Sequence, residues 1–277
     1  MADIYGCHFE YNNISSRTLG LILANVTSER VTSISGTISG AFVYDRRIKG
    51  KYLINNDYSN SPMSYEIDLI TDNQEALTKS QCRTAEKWLF NRHSFGKLYI
   101  DSDDDCDGYT SETIDGSVKR LYLICRFINA SRIENSEGVI GYHATIETDS
   151  GYWWQDTVTK SFETNLTTAS SYKTVTFDTD TDIDDYLYPK ITMVIGSVGG
   201  SVSLTNKTDS TTRITKIDNI SPNSTVVINS GLNYISDNLY SSFDKRNFPR
   251  LLDGQNKVTV KGNVTSITFE FNNRRFL

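Results

Sequence analysis

The acidic segment DSDDDCDGYT carries the sharpest chemical motif of the chain. Asp103, Asp105 and Asp107 alternate and Gly108 follows at the sixth position, which is the spacing at the start of a calcium-binding loop. The twelfth position of such a loop needs a bidentate carboxylate, but Ile114 stands there, and no flanking helices are predicted. We therefore interpret the segment as a solvated hairpin tip and assign no metal. A bound cation stays open as the alternative, because carboxylates this close repel one another.

The sequence contains few residues whose type and spacing indicate catalysis. The three histidines, His8, His93 and His143, stand far apart, and no HExxH, GxSxG or Walker A pattern occurs. The glycines of GSVGGS have the wrong spacing for a nucleotide site and predict a turn. Dispersed carboxylate pairs leave a glycoside hydrolase open as an alternative. We predict that the protein is not an enzyme, and we assign no catalytic, cofactor-binding or metal-binding residues.

The strongest aromatic cluster is formed by Tyr152, Trp153 and Trp154. Adjacent residues of a strand point to opposite faces, so the two tryptophans are not expected to be buried on the same side. We expect one of them to fill the core and the other to face a domain or subunit interface. A platform on which sugars stack is the functional alternative.

Composition and charge exclude several classes of protein. The 277 residues are 38% hydrophobic and 22% charged, with abundant Tyr and Phe, which favours a mainly β fold over an α+β domain. A formal charge of −6 argues against stable nucleic-acid binding. No signal peptide or membrane span is evident, so we expect synthesis and assembly in a cytoplasm. The four cysteines are scattered, and reduced thiols are expected.

The first half of the chain predicts strands around one helix. Strands are expected near His8–Tyr11, Leu19–Val26, Tyr65–Ile70 and from residue 97 to 152, whereas SISGTISGAF predicts an irregular loop or a flexible edge. Asp72 and Asn73 are candidate N-caps of a helix that runs to Arg92. Its core-facing residues are predicted to be Leu77, Ala85, Trp88 and Leu89, and its solvent-facing residues Lys79, Arg83 and Lys87.

The second half repeats short alternating strands that are typical of a β-sandwich. The polar stretch SFETNLTTASSY is interpreted as a linker, which places a domain boundary near residue 160. Asp253-Gly254 is predicted to form a turn that needs a positive φ, and Gly262-Asn263 is predicted to form the next hairpin turn. The strands between and after them are expected to supply five residues to one core: Val258, Val260, Ile267, Phe269 and Phe271.

Three stretches resemble the distal tail protein family of long-tailed bacteriophages. HFEYNNISSRTLGLIL is similar to the family's first hairpin, and RTAEKWLFNRHSFGKLYIDSDDDCDGYT to its helix ending in WL, its KL strand and an acidic hairpin. FPRLLDGQNKVTVKGNVTSITFEFNNRRFL resembles the closing pattern, an L-x-x-G-x-N turn and an aromatic strand that ends near an arginine. The motifs occur in the family's order along nearly the whole chain.

The resemblance implies two domains. Residues 1–160 would be a ring-forming N-terminal domain related to tail tube proteins, a β-sandwich or split barrel with one α-helix. Residues 161–277 would be a galectin-like β-sandwich. In this family, hexameric rings at the virion tail tip stack on the tail tube, carry the tail-associated hub protein and often receptor-binding or fibre proteins, and let DNA pass. No cofactor and no membrane contact are implied. A carbohydrate-binding receptor module remains the alternative, although the chain lacks the large insertions of extended members.

Overall fold

The structure is a computed structural model that describes residues 6–24, 39–45, 50–57, 64–91, 94–100, 111–114, 117–244 and 247–275. It is mainly β, as predicted, and divides into two compact units over residues 1–155 and 156–275. Among the described residues, no helix has the length and apolarity needed to cross a bilayer.

Unit 1 contains twelve described strands, a short 3₁₀ helix at Ser16–Leu19 and the helix α1 at Lys79–Leu89. The strands are β1 Gly6–Cys7, β2 Phe9–Tyr11, β3 Ile14–Ser15, β4 Leu21–Ala24, β5 Ser39–Asp45, β6 Gly50–Asp57, β7 Ser64–Thr71, β8 Gly96–Ile100, β9 Ser111–Ile114, β10 Ser117–Asn135, β11 Gly138–Thr148 and β12 Trp153–Gln155.

The strands of unit 1 form one large sheet and a separate hairpin. The sheet has the order β1-β4-β7-β11-β10-β8-β2-β3, with β9 and β12 also paired to β10, and β5 pairs with β6. Helix α1 covers one face, where Trp88 stacks on Phe9 at 5.6 Å and its indole donates to the carbonyl of Tyr11 at 2.9 Å. The prediction that Trp88 belongs to the core is therefore confirmed.

Helix α1 begins six residues later than the sequence indicated. Thr78 is the N-cap, in a reciprocal capping box with Gln81, whereas Gln74 has a φ of +59° that a helix does not allow. Asp72 and Asn73 are therefore not the caps. Leu77 still packs against the core, but from before the helix, where its N–H bonds to the carbonyl of Val139 at 2.7 Å.

The described residues of unit 2 form eleven strands and a 3₁₀ helix at Asp237–Ser242. The strands are β13 Val158–Glu163, β14 Tyr172–Thr179, β15 Lys190–Ile195, β16 Gly200–Asn206, β17 Thr215–Ile220, β18 Thr225–Asn229, β19 Tyr234–Ile235, β20 Phe243–Asp244, β21 Gly254–Lys261, β22 Val264–Phe271 and β23 Arg274–Arg275.

Two five-stranded sheets of unit 2 form the predicted sandwich. Their orders are β13-β22-β15-β18-β19 and β14-β21-β16-β17-β20. Aromatic rings from the two sheets meet in the core, where Phe177 lies 4.7 Å from Phe269 and 5.8 Å from Phe162 between ring centroids. The five residues predicted for this core are all at most 3% exposed.

Two local predictions are wrong, and a third falls mostly outside the described residues. The stretch interpreted as a linker contributes Ser161–Glu163 to β13, because Phe162 supplies an aromatic ring to the core. Gly262-Asn263 joins β21 to β22, which lie in different sheets, so it is a crossover and not a hairpin turn. The end of SISGTISGAF forms the start of β5, paired with β6, while its first six residues lie outside the described residues.

The cysteines also depart from the expectation of reduced thiols. Cys82 and Cys125 are free and buried, but Cys7 is disulfide-bonded. Sequence spacing alone does not indicate which cysteines a fold of this length brings together.

Candidate assembly surfaces

The residues considered for metal binding and catalysis do not form a described site. The acidic motif from Asp103 to Gly108 and the imidazole of His93 lie outside the described residues. Within the described part, no group of three His, Cys, Asp or Glu side chains could hold a metal ion. His8 lies 3.2 Å from the carbonyl of Leu21, and His143 pairs with Asp68 at 2.9 Å. Two strands of the sheet separate β2 from β11, so these two histidines serve different parts of it.

The aromatic cluster at Tyr152–Trp154 divides between the two faces, as predicted. Trp153 packs against the core of unit 1, whereas the rings of Tyr152 and Trp154 meet edge to face at 5.0 Å on the other side. Tyr152 is buried, and both tryptophans are only partly exposed. The cluster is therefore a packed structural feature and not an open platform for a sugar.

The carboxyl group of Asp149, a residue that is exposed as a whole, lies beside this cluster. Burial raises the pKa of Asp149, and the hydroxyl of Ser150, which donates to it at 2.7 Å, partly opposes that shift. The indole N–H of Trp154 also opposes the rise in the pKa of Asp149, although it makes no hydrogen bond of ordinary geometry. Burial also raises the pKa of the nearby Cys125 thiol, so that this thiol is inert as a nucleophile.

The face of the sheet opposite α1 carries alternating cations and aromatic rings. Glu10, Tyr99 and Tyr122 are neighbours across β2, β8 and β10. The Lys97 ammonium lies 4.0 Å from the centre of the Tyr122 ring, and the Arg120 guanidinium lies 4.1 Å from that of Tyr99 and 3.1 Å from the Glu10 carboxylate. The cation–π and ion-pair contacts order these side chains. The surface nevertheless remains polar, as the rim of a protein interface is.

The exposed face of α1 carries unpaired positive charge. Lys79, Arg83 and Lys87, which we call the basic stripe, are exposed as predicted. Their side chains make no hydrogen bond or ion pair with any residue that the structure describes. The contrast with the sheet is clear, because Arg120 and Arg126 each contact a carboxylate there.

The closing motif of unit 2 is a buried hydrogen-bond network. Asn256 is fully buried and its side chain bonds both the N–H and the carbonyl of Leu252, at 3.0 and 2.8 Å, and the side chain of Asn206 at 2.8 Å. Gly254 has a φ of +75°, the left-handed region predicted for this turn. These residues hold the start of β21 and perform no chemistry.

Two buried arginines near the end of the chain hold an acidic segment that the sequence analysis missed. Residues 178–185, which we call the acidic segment, contain five aspartates. Arg275 contacts Asp180 at 2.7 Å and Asp182 at 3.3 Å, and Arg274 contacts Asp185 at 3.1 Å. The alternating aspartates of FDTDTDIDDY and the RR pair near the end of the chain were the available signal.

Together these features define a mainly β protein of two units. Its described residues form candidate assembly surfaces, ion pairs and a buried hydrogen-bond network. Family models match both halves of the chain. Residues 4–150 match the family described as the phage tail protein N-terminal domain, and residues 153–271 match the phage tail C-terminal domain. Because the first model alone covers more than half of the chain, the protein belongs to this phage tail protein family.

Solved structures of low sequence identity share the fold. The SPP1 Dit protein, described as a paradigm of the hub adsorption apparatus in phages that infect Gram-positive bacteria, is 12% identical with a TM-score of 0.65, over 96% of this chain and 98% of its own. A chain of the phage P2 baseplate in its activated, calcium-containing conformation is 8% identical with a TM-score of 0.53, over 97% and 98%. No curated protein matches the sequence. The resemblance to distal tail proteins is confirmed at the level of the fold.

Proposed function

We propose that the protein is a structural component that forms a hexameric ring at the distal end of a bacteriophage tail. The ring joins the tail tube to the tail-tip or baseplate hub and to receptor-binding or fibre proteins. The observation that carries the proposal is the fold shared with the SPP1 Dit protein over nearly all of both chains. The match covers the two halves in order, and each half also matches a phage tail domain family.

The surfaces of unit 1 support a role in assembly. A closed ring with one type of contact needs two different surfaces on each copy. Unit 1 carries the basic stripe on α1 and the cation–aromatic face on the opposite side of its sheet. Unit 1 has a hydrophobic core of its own, which agrees with a ring-forming unit.

The acidic balance of the chain suits a conduit for DNA. A net charge of −6 repels phosphates within a Debye length of about 10 Å at moderate salt, so DNA passes without being held. We expect no retention of duplex DNA by the purified protein at physiological salt. Tight binding under those conditions would contradict a passive lumen.

The carbohydrate-binding alternative loses one of the two observations that motivated it, because the Tyr152–Trp154 cluster is packed, and only the sandwich fold remains. No catalytic role is proposed either. The protein is expected at the virion tail tip after assembly in the host cytoplasm.

Imaging of labelled particles tests the location directly. A gold or fluorescent-protein label fused to this chain should appear at the end of the tail distal to the capsid. Label along the whole tube, or its absence from complete particles, would contradict the proposal. A label on the major tube protein provides the control for resolution.

A further inference from the structure

The basic stripe has no counter-charge in the chain as described. Its three cations are four residues apart, about 6 Å per step along the helix. Like charges at this spacing destabilise a helix, so the arrangement has an intrinsic cost. The nearest helix carboxylate, Glu86, is already bound by Arg132 at 2.7 Å.

The acidic segment has the opposite imbalance. Its five carboxylates face two guanidinium groups, which leaves three net negative charges. Asp178 and Asp184 make no ion pair with any described residue, and both are exposed. The side chain of Asp180 is 79% exposed even though it contacts Arg275, so the charge faces solvent.

We propose that the basic stripe of one copy docks on the acidic segment of a second copy. The inference rests on the proposed ring and adds one contact to it. Three positive charges meet three net negative ones. Residues two apart, such as Asp178 and Asp180, are separated by at most about 7 Å in extended chain, close to the step of the stripe.

A second copy fits better than other occupants. The two surfaces lie in different units of one chain, and the described residues supply no ion-pair partner for the stripe or for Asp178 and Asp184. Two complementary surfaces on each copy are what a head-to-tail contact between identical chains requires. Nucleic acid fits poorly, because three cations on a chain of net charge −6 neutralise few phosphates.

Charge reversal with rescue tests the contact. Arg83→Glu with Lys87→Glu changes the stripe from +3 to −1, and Asp178→Lys with Asp184→Lys changes the segment from −3 to +1. Each pair should raise the concentration at which half of the protein is assembled by about tenfold, from the loss of a few exposed ion pairs per contact. All four substitutions together should restore most of the loss.

The matched control reverses two exposed lysines of unit 2 outside both surfaces, Lys257→Glu with Lys261→Glu, and should assemble as the wild type does. Light scattering across a dilution series provides the readout, and circular dichroism checks that each variant is folded. Wild-type assembly should also weaken in 1 M salt, where the Debye length falls to about 3 Å.

Several outcomes would overturn the contact. Unchanged assembly of either reversal pair overturns it and leaves the ring intact, as does failure of the fourfold variant to recover. If the stripe reversal leaves assembly unchanged but removes weak retention on duplex DNA at low salt, the stripe binds nucleic acid instead. A wild-type protein that never assembles refutes the proposed ring itself.

Discussion

At the scale of single residues, buried polar groups decide the local structure. Asn256 replaces main-chain hydrogen bonds that the turn before β21 cannot make, and every polar atom of its amide is used. The sequence pattern L-x-x-G-x-N could be recognised, but the partners of Asn256 could not. They come from Asn206 and Thr179, which are distant in sequence.

Asn256→Ala should lower the free energy of unfolding of unit 2 by about 2–4 kcal/mol, because several buried partners are left without a hydrogen bond. Urea denaturation monitored by far-ultraviolet circular dichroism measures the decrease in the free energy of unfolding. Gln255→Ala, at the exposed neighbouring position, should change stability by less than about 0.5 kcal/mol. Equal effects at the two positions would show that the amide network is not what holds the turn.

Gly254 tests backbone conformation separately from packing. A Cβ at this position meets no atom within 4 Å, so any cost comes from φ. Gly254→Val should cost at least about 1–2 kcal/mol, whereas Gly254→Asn should cost clearly less, because Asn tolerates the left-handed region. Similar losses in the two variants would exclude the conformational explanation.

Asp149 provides a prediction in pH. Its pKa is raised in the folded protein by burial, so the folded state holds the proton more tightly than the unfolded state does. The charged carboxylate therefore costs stability at neutral pH, and that cost disappears as pH falls through the raised pKa. Asp149→Asn should melt at a higher temperature than the wild type at pH 7, and the difference should shrink toward pH 4. Ser136→Ala, exposed at the β10–β11 hairpin tip, should show no such trend because it changes no titratable group.

At the scale of secondary-structure elements, the alternation of apolar and polar residues predicted the strands well, whereas polar composition led to the wrong prediction of a linker. Phe269 and Val260 fall on the buried face of their strands because period-two patterning reports burial directly. SFETNLTTASSY was interpreted as a linker because it holds a single Phe among polar residues, yet that Phe162 reaches the sandwich core. The start of α1 was placed too early because Asp72 and Asn73 are also good caps. Thr78 is favoured by its capping box with Gln81 and by the hydrogen bond of Leu77 to Val139.

Phe269→Ala should destabilise unit 2 by about 3–5 kcal/mol, the cost of a cavity where a large aromatic ring was removed. The ring of Phe269 contacts that of Phe162 within its own sheet and that of Phe177 in the opposite sheet. Thr265→Ala, exposed on the same strand, should be nearly neutral. Differential scanning calorimetry should show the transition of unit 2 moving while that of unit 1 stays in place. A shift of both transitions together would mean that the units do not unfold separately.

At the scale of the whole molecule, function depends on surfaces that a sequence shows only in part. The exposed cations of α1 could be predicted from helical spacing. The acidic segment could not be predicted as a surface, because its aspartates are held by two arginines about ninety residues away in the sequence. The assembly itself is encoded by surfaces that become complementary only when copies meet.

The mass of the purified protein in solution tests the central claim most directly. Multi-angle light scattering at micromolar concentration and moderate salt should give about 188 kDa, six copies of a 31.3 kDa chain, and negative-stain images should show a ring with a central opening. A single species of 31.3 kDa up to high concentration, together with particles that lack any six-fold feature at the tail end, would contradict the account.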